Sequence, residues 1–146
     1  LYLHQTMNVD FVYNTDFKLN NEIETTQWIN TFCKSEGFSI DSLVFAFFND
    51  NELKDLNIRF LNHDCFTDVI SFDESYNGFV KGNIAISIDR VKENASEFSC
   101  SFDDELRRVI IHGVLHLMGF NDKTDDEKKK IKEKENFAIE MFHVKR

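Results

Sequence analysis

Two histidines and an aspartate in the stretch "HGVLHLMGFND" have the types and spacing for metal chemistry. His112 and His116 are four residues apart, so on a helix their side chains lie one turn apart on the same face. Gly119 can end that helix in a sharp turn, because glycine adopts the left-handed conformation at low cost. Such a turn can bring Asp122 back toward the histidines. Three ligands and an open fourth position predict one catalytic zinc ion per chain, although other divalent transition metals also accept this ligand set.

The residues alone leave alternatives open. Histidines four apart are often only partly buried polar residues, and Asp122 could instead precede and cap the next helix. That helix, however, has its own capping box in Thr124 and Glu127. The spacing is also close to the zinc-protease pattern H-E-x-x-H-x-x-G-x-x-H, whose glutamate is the general base. Gly113 stands at the glutamate position, so a metallopeptidase is the weaker alternative because it would lack that base.

Helices in the C-terminal half must position these residues. Ser101 can cap a helix over 102–118, and the acidic residues 103–105 lie in its first turn, where the helix dipole favours negative charge. Further helices are predicted at about 90–98 and at about 125–142 from hydrophobic periodicity.

Strands and helices alternate in the N-terminal half. Strands are predicted over 9–14, 42–49, 67–73 and 79–89, and helices over 20–38 and 50–62. In the second of these helices Leu53, Leu56 and Phe60 are predicted to face the core. Gly82 indicates a bulge or a close backbone approach in the last strand. Only the third and fourth strands are joined by a connection of hairpin length. The order predicts an α+β, or mixed α/β, fold: a four-stranded mixed sheet covered by helices, with the metal site on a helix of the C-terminal half.

Composition limits the classes of function. The 146 residues suit a single domain over 1–146, and Met7 is a candidate start, which would make residues 1–6 a leader or a remnant of cloning. A formal net charge of −9 disfavours a general polyanion binder, because a basic surface drives affinity for phosphates. The three scattered cysteines fit free thiols in a reducing cytosol. No apolar run reaches the ~18 residues of a membrane span, so no membrane partner is expected.

Basic residues near the histidines are candidates for binding phosphates. Arg108 lies four residues before His112 and shares its helix face, where it could contact a substrate or pair with Asp104. The other nearby basic groups are Arg107, Lys123, Lys128, Lys129 and Lys130. A lysine run of this kind is also typical of a solvated helix face.

Three blocks of the sequence resemble the YbeY family of endoribonucleases, also called rRNA maturation factors. The family hallmark H-G-x-L-H-L-x-G-[YF]-D-H is matched at His112, Gly113, Leu115, His116, Leu117, Gly119 and Phe120. The block L-N…T-D-V-[LI]-S-F is matched by residues 56–57 and 67–72, and the block G-D-I by residues 82–84. The blocks follow the family's order at roughly the family's spacing.

The chain departs from the family pattern at several positions. The family's third histidine ligand falls on Asp122, its G-D-I carboxylate on Asn83, its arginine before T-D-V on Leu61, and its proline before Thr67 on Phe66. The first of these substitutions keeps a group that can bind a metal. The other three replace the family's side chain by one of different chemistry.

The resemblance implies a single-strand-specific, metal-dependent endoribonuclease that acts in 16S rRNA 3′-end maturation and ribosome quality control. The protein would be cytoplasmic, and its partners would be rRNA and the small ribosomal subunit, including ribosomal proteins. Zinc would polarise a phosphoryl oxygen or lower the pKa of a bound water. The candidate catalytic residues are His112, His116 and Arg108, and His63 is either a further RNA contact or an exposed loop residue. The alternative is a ribosome assembly factor in which the zinc is structural.

Overall fold

The structure, a computed structural model, describes residues 8–144 of the chain. Its strands are β1 (Val9–Tyr13), β2 (Ser39–Phe48), β3 (Val69–Asp73) and β4 (Phe79–Ser87). Its helices are α1 (Glu22–Ser35), α2 (Asp50–Leu61), α3 (Ile88–Glu97), α4 (Phe102–Leu117) and α5 (Asp125–Val144). The predicted order of elements is therefore confirmed, with ends that shift by a few residues. The suggested start at Met7 lies outside the described residues.

The four strands form one mixed sheet in the order β1-β2-β4-β3. The pairs β1–β2 and β2–β4 are parallel, whereas β3 and β4 are antiparallel. The β3–β4 connection turns through Asn77 and Gly78, which both have positive φ angles. This arrangement confirms the predicted four-stranded mixed sheet. Within residues 8–144 no helix has the length and apolar character to cross a membrane.

Helix α4 carries the candidate ligands and is held on several sides. It packs against β3 and β4 and against the neighbouring helices α3 and α5. Its apolar residues Leu106, Val109, Ile110 and Val114 are almost completely buried. The Ser101 hydroxyl accepts a hydrogen bond from the Asp104 amide, so the predicted N-cap is present. Because the helix cannot rotate without disrupting this core, its polar face has a fixed direction.

The boundary between β4 and α3 differs from the prediction. Ile88 and Asp89, predicted to end the strand, form the first turn of α3. The cause is the side chain of Ser87, which accepts a hydrogen bond from the Arg90 amide and caps the helix. Ser87 is thus both the last residue of β4 and the N-cap of α3.

The inward face of α2 also differs from the prediction. Leu53 is buried as expected, but Phe60 is 62% exposed and makes a T-shaped ring contact with Phe72. The buried stripe runs from Leu53 to Asn57, whose side-chain amide donates to the Cys65 carbonyl. The buried stripe therefore ends at Asn57, whose side chain binds the loop after α2, and it does not continue to Phe60.

Gly82 makes the predicted close backbone approach. A β-carbon at this position would collide with the carbonyl oxygen of Phe72 on the adjacent strand. The irregularity in strand pairing lies elsewhere, between Ile40 and Ser42 of β2. Gly82 therefore allows β3 to lie close to β4 on the side that faces α4.

Candidate metal centre

The side chains of His112, His116 and Asp122 converge in the structure. One ligand atom from each lies within 4.8 Å of the other two. The two Nε2 atoms are 3.0 Å apart, and Asp122 Oδ2 is 3.6 Å from His112 Nε2. Around a tetrahedral zinc ion with bonds of about 2.0–2.2 Å, neighbouring ligand atoms are roughly 3.3–3.6 Å apart. The three residues therefore fit one ion after small side-chain adjustments.

The turn after α4 brings Asp122 to the histidines. Gly119 has a φ of 98°, in the region that favours glycine. The Phe120 amide donates to the Leu115 carbonyl at 3.0 Å, which closes the helix end and reverses the chain. The predicted left-handed turn is therefore present. Thr124 and Glu127 form the predicted capping box, so α5 has a cap that does not use Asp122.

Hydrogen bonds at the two Nδ1 atoms orient the imidazole rings. His116 Nδ1 lies 3.0 Å from the Phe120 carbonyl, which can only accept, so this nitrogen carries the proton. His112 Nδ1 lies 2.7 Å from Glu135 Oε2 and donates to that carboxylate. If both rings are neutral, their two Nε2 lone pairs then face each other. This arrangement requires a cation, either a proton or a metal ion, beside the two Nε2 atoms.

The two histidines differ in basicity. Burial acts to lower the pKa of His112, but the hydrogen bond and charge of Glu135, with the charges of Asp122 and Asp68, outweigh it and raise the pKa. Burial and the charge of His112 lower the pKa of His116. His112 is therefore the more basic of the two rings.

Glu135 is the residue of this centre that the sequence does not reveal. It lies on α5 and is 6% exposed. Its carboxylate contacts His112 and also lies 3.3 Å from Arg108 Nη1. The available indication was its position on the buried stripe of α5 with Ile131 and Ala138, where a carboxylate needs a partner.

Arg108 has different partners from the predicted one. It pairs with Glu105 at 3.7 Å and with Glu135 at 3.3 Å, and it donates to Asn136. Asp104 is instead bound by Arg107 at 2.8 Å and by His143 at 2.7 Å. The guanidinium of Arg108 is thus held beside the candidate metal ligands by carboxylates on two helices.

Two clefts border the ligand set, and His112 and Asp122 line both. The lysine cleft, of about 720 Å³, is lined also by Phe98, Cys100, Glu105, Arg108, Lys128, Ile131, Lys132 and Glu135. The aspartate cleft, of about 490 Å³, is lined also by Thr67, Asp68, Val69, Ser71, Asp73, His116 and Leu117. The candidate ligands are therefore accessible from both clefts.

Comparison with known proteins assigns the chain to a family. The family model described as "Endoribonuclease YbeY" matches residues 10–143. The chain belongs to the YbeY family. Relatives named Endoribonuclease YbeY include one from Flavobacterium psychrophilum, 42% identical over 94% of this chain and 98% of its own length. Another, from Christiangramia forsetii, is 43% identical over 93% of this chain and 95% of its own length. The resemblance carried by the three sequence blocks is confirmed.

A solved structure supports the fold. The solution structure of TM1509 from Thermotoga maritima is 28% identical to this chain, with a TM-score of 0.68. The match covers 92% of this chain and 88% of that protein. This likeness and the observed sheet confirm the predicted mixed α/β fold class.

The basic residues predicted near the YbeY hallmark are dispersed. Arg108 and Lys128 border the ligand set, and so does Lys132, which lies four residues after Lys128 and was not predicted. Arg107 lies over the ring of Phe142, with its guanidinium carbon 3.7 Å from the ring centre. The described linings of the two clefts do not include the other predicted basic residues, which are Arg107, Lys123, Lys129, Lys130 and His63. Lys130 lies over the Phe120 ring, and His63 is exposed after α2.

Gly113, the second residue of the YbeY hallmark, packs against the sheet. A β-carbon here would lie 2.9 Å from Ile84 Cγ2 and 3.2 Å from Ser71 Oγ. The Ser71 hydroxyl also donates to the Gly113 carbonyl at 3.3 Å. The position that carries the general base in zinc proteases therefore has no room for a side chain in this protein.

We expect Gly113→Ala to lower the free energy of unfolding by about 1–3 kcal/mol, because the added methyl group overpacks the contact with Ile84. Urea denaturation of the metal-free variant and wild type measures the difference. At an open helix position the same change would stabilise the protein by about 0.5–1 kcal/mol. A stabilised variant would therefore contradict the close contact.

Proposed function

We propose that the chain is a metal-dependent endoribonuclease that cleaves single-stranded RNA. The metal dependence rests on the convergence of His112 Nε2, His116 Nε2 and an Asp122 carboxylate oxygen. The RNA substrate is supported by membership of a family whose relatives are named endoribonucleases. The family resemblance further supports a role in 16S rRNA 3′-end maturation and ribosome quality control, with the small ribosomal subunit as partner.

Zinc is the proposed ion, since two imidazoles and one carboxylate with an open position are a catalytic zinc ligand set. Bound there, it supplies a Lewis acid that polarises a phosphoryl oxygen or activates a water. Glu135 holds the His112 ring with its Nε2 directed to the ligand cluster. Other divalent transition metals would accept the same ligands.

The phosphate groups of the substrate would be bound from the lysine cleft. Arg108 is fixed by Glu105 and Glu135, so its guanidinium loses little freedom when it contacts a phosphate. Lys128 and Lys132 are exposed at the same cleft and add positive charge. Electrostatic stabilisation by such pre-oriented groups is a major source of catalysis in phosphoryl transfer.

The aspartate cleft offers a group for proton transfer. Asp68 lines this cleft together with both histidines. Burial raises the pKa of its carboxyl, against the opposing charge of His112. A carboxyl whose pKa moves toward neutrality is better suited to accept a proton from water. We therefore assign Asp68 as the candidate general base, in the absence of a glutamate at position 113.

The two alternative functions have less support. A metallopeptidase would need a base where Gly113 packs against Ile84 and Ser71. Family membership supports neither a peptidase nor an assembly factor with structural zinc. The two clefts that border the ligand set also differ from a closed structural zinc site, which is enclosed by four protein ligands.

We expect the zinc-loaded protein to cut an end-labelled single-stranded RNA internally and to leave the same sequence in a duplex intact. A chelator should abolish cleavage, and added zinc should restore it. His116→Ala, purified in the same way, controls for contaminating nucleases and should be inactive. Cleavage that persists in this variant or with chelator would refute the proposal, and release of peptides from casein would favour the peptidase.

A further inference from the structure

Phe98 presents an exposed aromatic ring at the lysine cleft. Its side chain is 61% exposed and lines the cleft with Arg108, His112 and Lys132. Phe60 is equally exposed, at 62%, but rests on the ring of Phe72 and lines neither of the two clefts. An exposed phenylalanine is unremarkable by itself. Its position in a cleft that also carries the candidate metal ligands distinguishes Phe98.

The backbone around Phe98 is fixed by hydrogen bonds. Phe98 is the C-cap of α3, and its backbone amide donates to the Asn94 carbonyl at 2.9 Å. The Cys100 amide donates to the Ala95 carbonyl at 3.0 Å, and Ser99 between Phe98 and Cys100 has a φ of 57°. A turn that is already ordered loses little conformational entropy when its side chain binds a ligand.

Two lysines place exposed positive charge at this cleft. Lys128 and Lys132 are exposed, whereas the carboxylates of Glu105 and Glu135 are buried and paired with Arg108. A ligand in this cleft thus meets two ammonium groups, a partly exposed guanidinium, an aromatic face and the Cys100 thiol, with the partly exposed Asp122 carboxylate at the candidate metal position. Cations that bind the backbone, next to an aromatic ring that stacks with a base, are the combination found in sites for single-stranded nucleic acids.

We propose that Phe98 stacks with an unpaired base of the RNA substrate while Lys128 and Lys132 bind adjacent phosphates. The inference rests on the proposed endoribonuclease function and adds a physical source for its preference for single strands. A base in a duplex is stacked and paired on both sides, so only an unpaired base can lie on the ring. Phe98 would thereby position the strand beside the metal ligands.

The test compares strands with and without bases. Binding of the zinc-loaded protein to a labelled uridylate strand of about ten nucleotides, and to an abasic strand of equal length, is measured by fluorescence anisotropy. Strand integrity after each titration is checked on a gel. We expect wild type to bind the uridylate strand about 5- to 100-fold more tightly, and Phe98→Ala to bind both strands with similar, weaker affinity. Phe98→Trp should retain the preference.

Two further variants separate stacking from charge and from general aromatic exposure. Phe60→Ala, at the equally exposed ring outside both clefts, should behave as wild type. Lys132→Ala should reduce the slope of log affinity against log salt by about 0.7, whereas Phe98→Ala should leave that slope unchanged.

Two results would overturn the stacking role: a wild type without preference for bases, or a Phe98→Ala variant with the wild-type preference. Failure of the proposed function gives a different pattern, because wild type would then not cleave RNA whatever its preference among strands.

Discussion

Asp122→Ala is expected to weaken zinc binding by more than about 100-fold, whereas Asp122→His should stay within about tenfold of wild type. Loss of a residue that merely orients a ligand already weakens binding by about 10–100-fold, and loss of the ligand itself should exceed that. Alanine leaves two Nε2 atoms for the ion. Histidine restores a ligand at the place where the YbeY hallmark has one. The affinities are measured by competition with a chromophoric chelator at one pH.

Two controls test whether the effect belongs to Asp122 and its turn. Asp73→Ala removes an exposed carboxylate from the aspartate cleft that is not in the ligand cluster, and should leave zinc affinity unchanged. Gly119→Ala adds a methyl group that meets no atom within 4 Å, so any loss comes from the φ of 98°. We expect it to weaken binding in the same direction as Asp122→Ala. Equal affinities for wild type and Asp122→Ala would remove Asp122 from the site.

Local features of the centre could be predicted because they depend on neighbours within one segment. A helical spacing of four places His112 and His116 on one face wherever the helix packs. Gly119 terminates the helix through its own backbone conformation, and this predicts the return of Asp122. The ligand set and its turn therefore follow from eleven consecutive residues, the stretch 112–122.

Contacts between helices could not be predicted in the same way. Glu135 meets His112 only because α5 packs on α4, and no spacing in the sequence specifies that pairing. The partner of Arg108 shows the same limit. Asp104 and Glu105 are both at helical spacing from Arg108, so the spacing does not decide which of them it pairs with. Residues of α5 decide it, because Glu135 binds Arg108 and His143 binds Asp104.

Phe98 shows a related limit of hydrophobic patterning. Periodicity identifies residues that face a core, but it does not distinguish an exposed ring outside any cleft from an exposed ring that lines one. That distinction requires α3, the following turn and α5 in their packed positions. The same holds for Lys132, which differs from its lysine neighbours in lining the cleft.

Glu135→Ala is expected to weaken zinc binding by about 10–100-fold although Glu135 is not a ligand. The substitution removes the acceptor 2.7 Å from His112 Nδ1 and frees the ring to rotate or change tautomer. It also leaves Arg108 with Glu105 as its remaining carboxylate partner, at 3.7 Å. Glu135→Gln should lose less affinity, because its side-chain oxygen can still accept the hydrogen bond from His112.

A change in the His112 tautomer separates this positioning role from a general loss of stability. In wild type, ¹⁵N chemical shifts should show the proton of zinc-bound His112 on Nδ1, and in Glu135→Ala that signal should shift or broaden while His116 keeps its bond to the Phe120 carbonyl. Glu133→Ala, an exposed position on the same helix, is the matched control and should change neither affinity nor spectrum. If Glu135→Ala lowers the free energy of unfolding but binds zinc as wild type does, the carboxylate serves the packing of α5 on α4 and has no part in orienting the metal ligand.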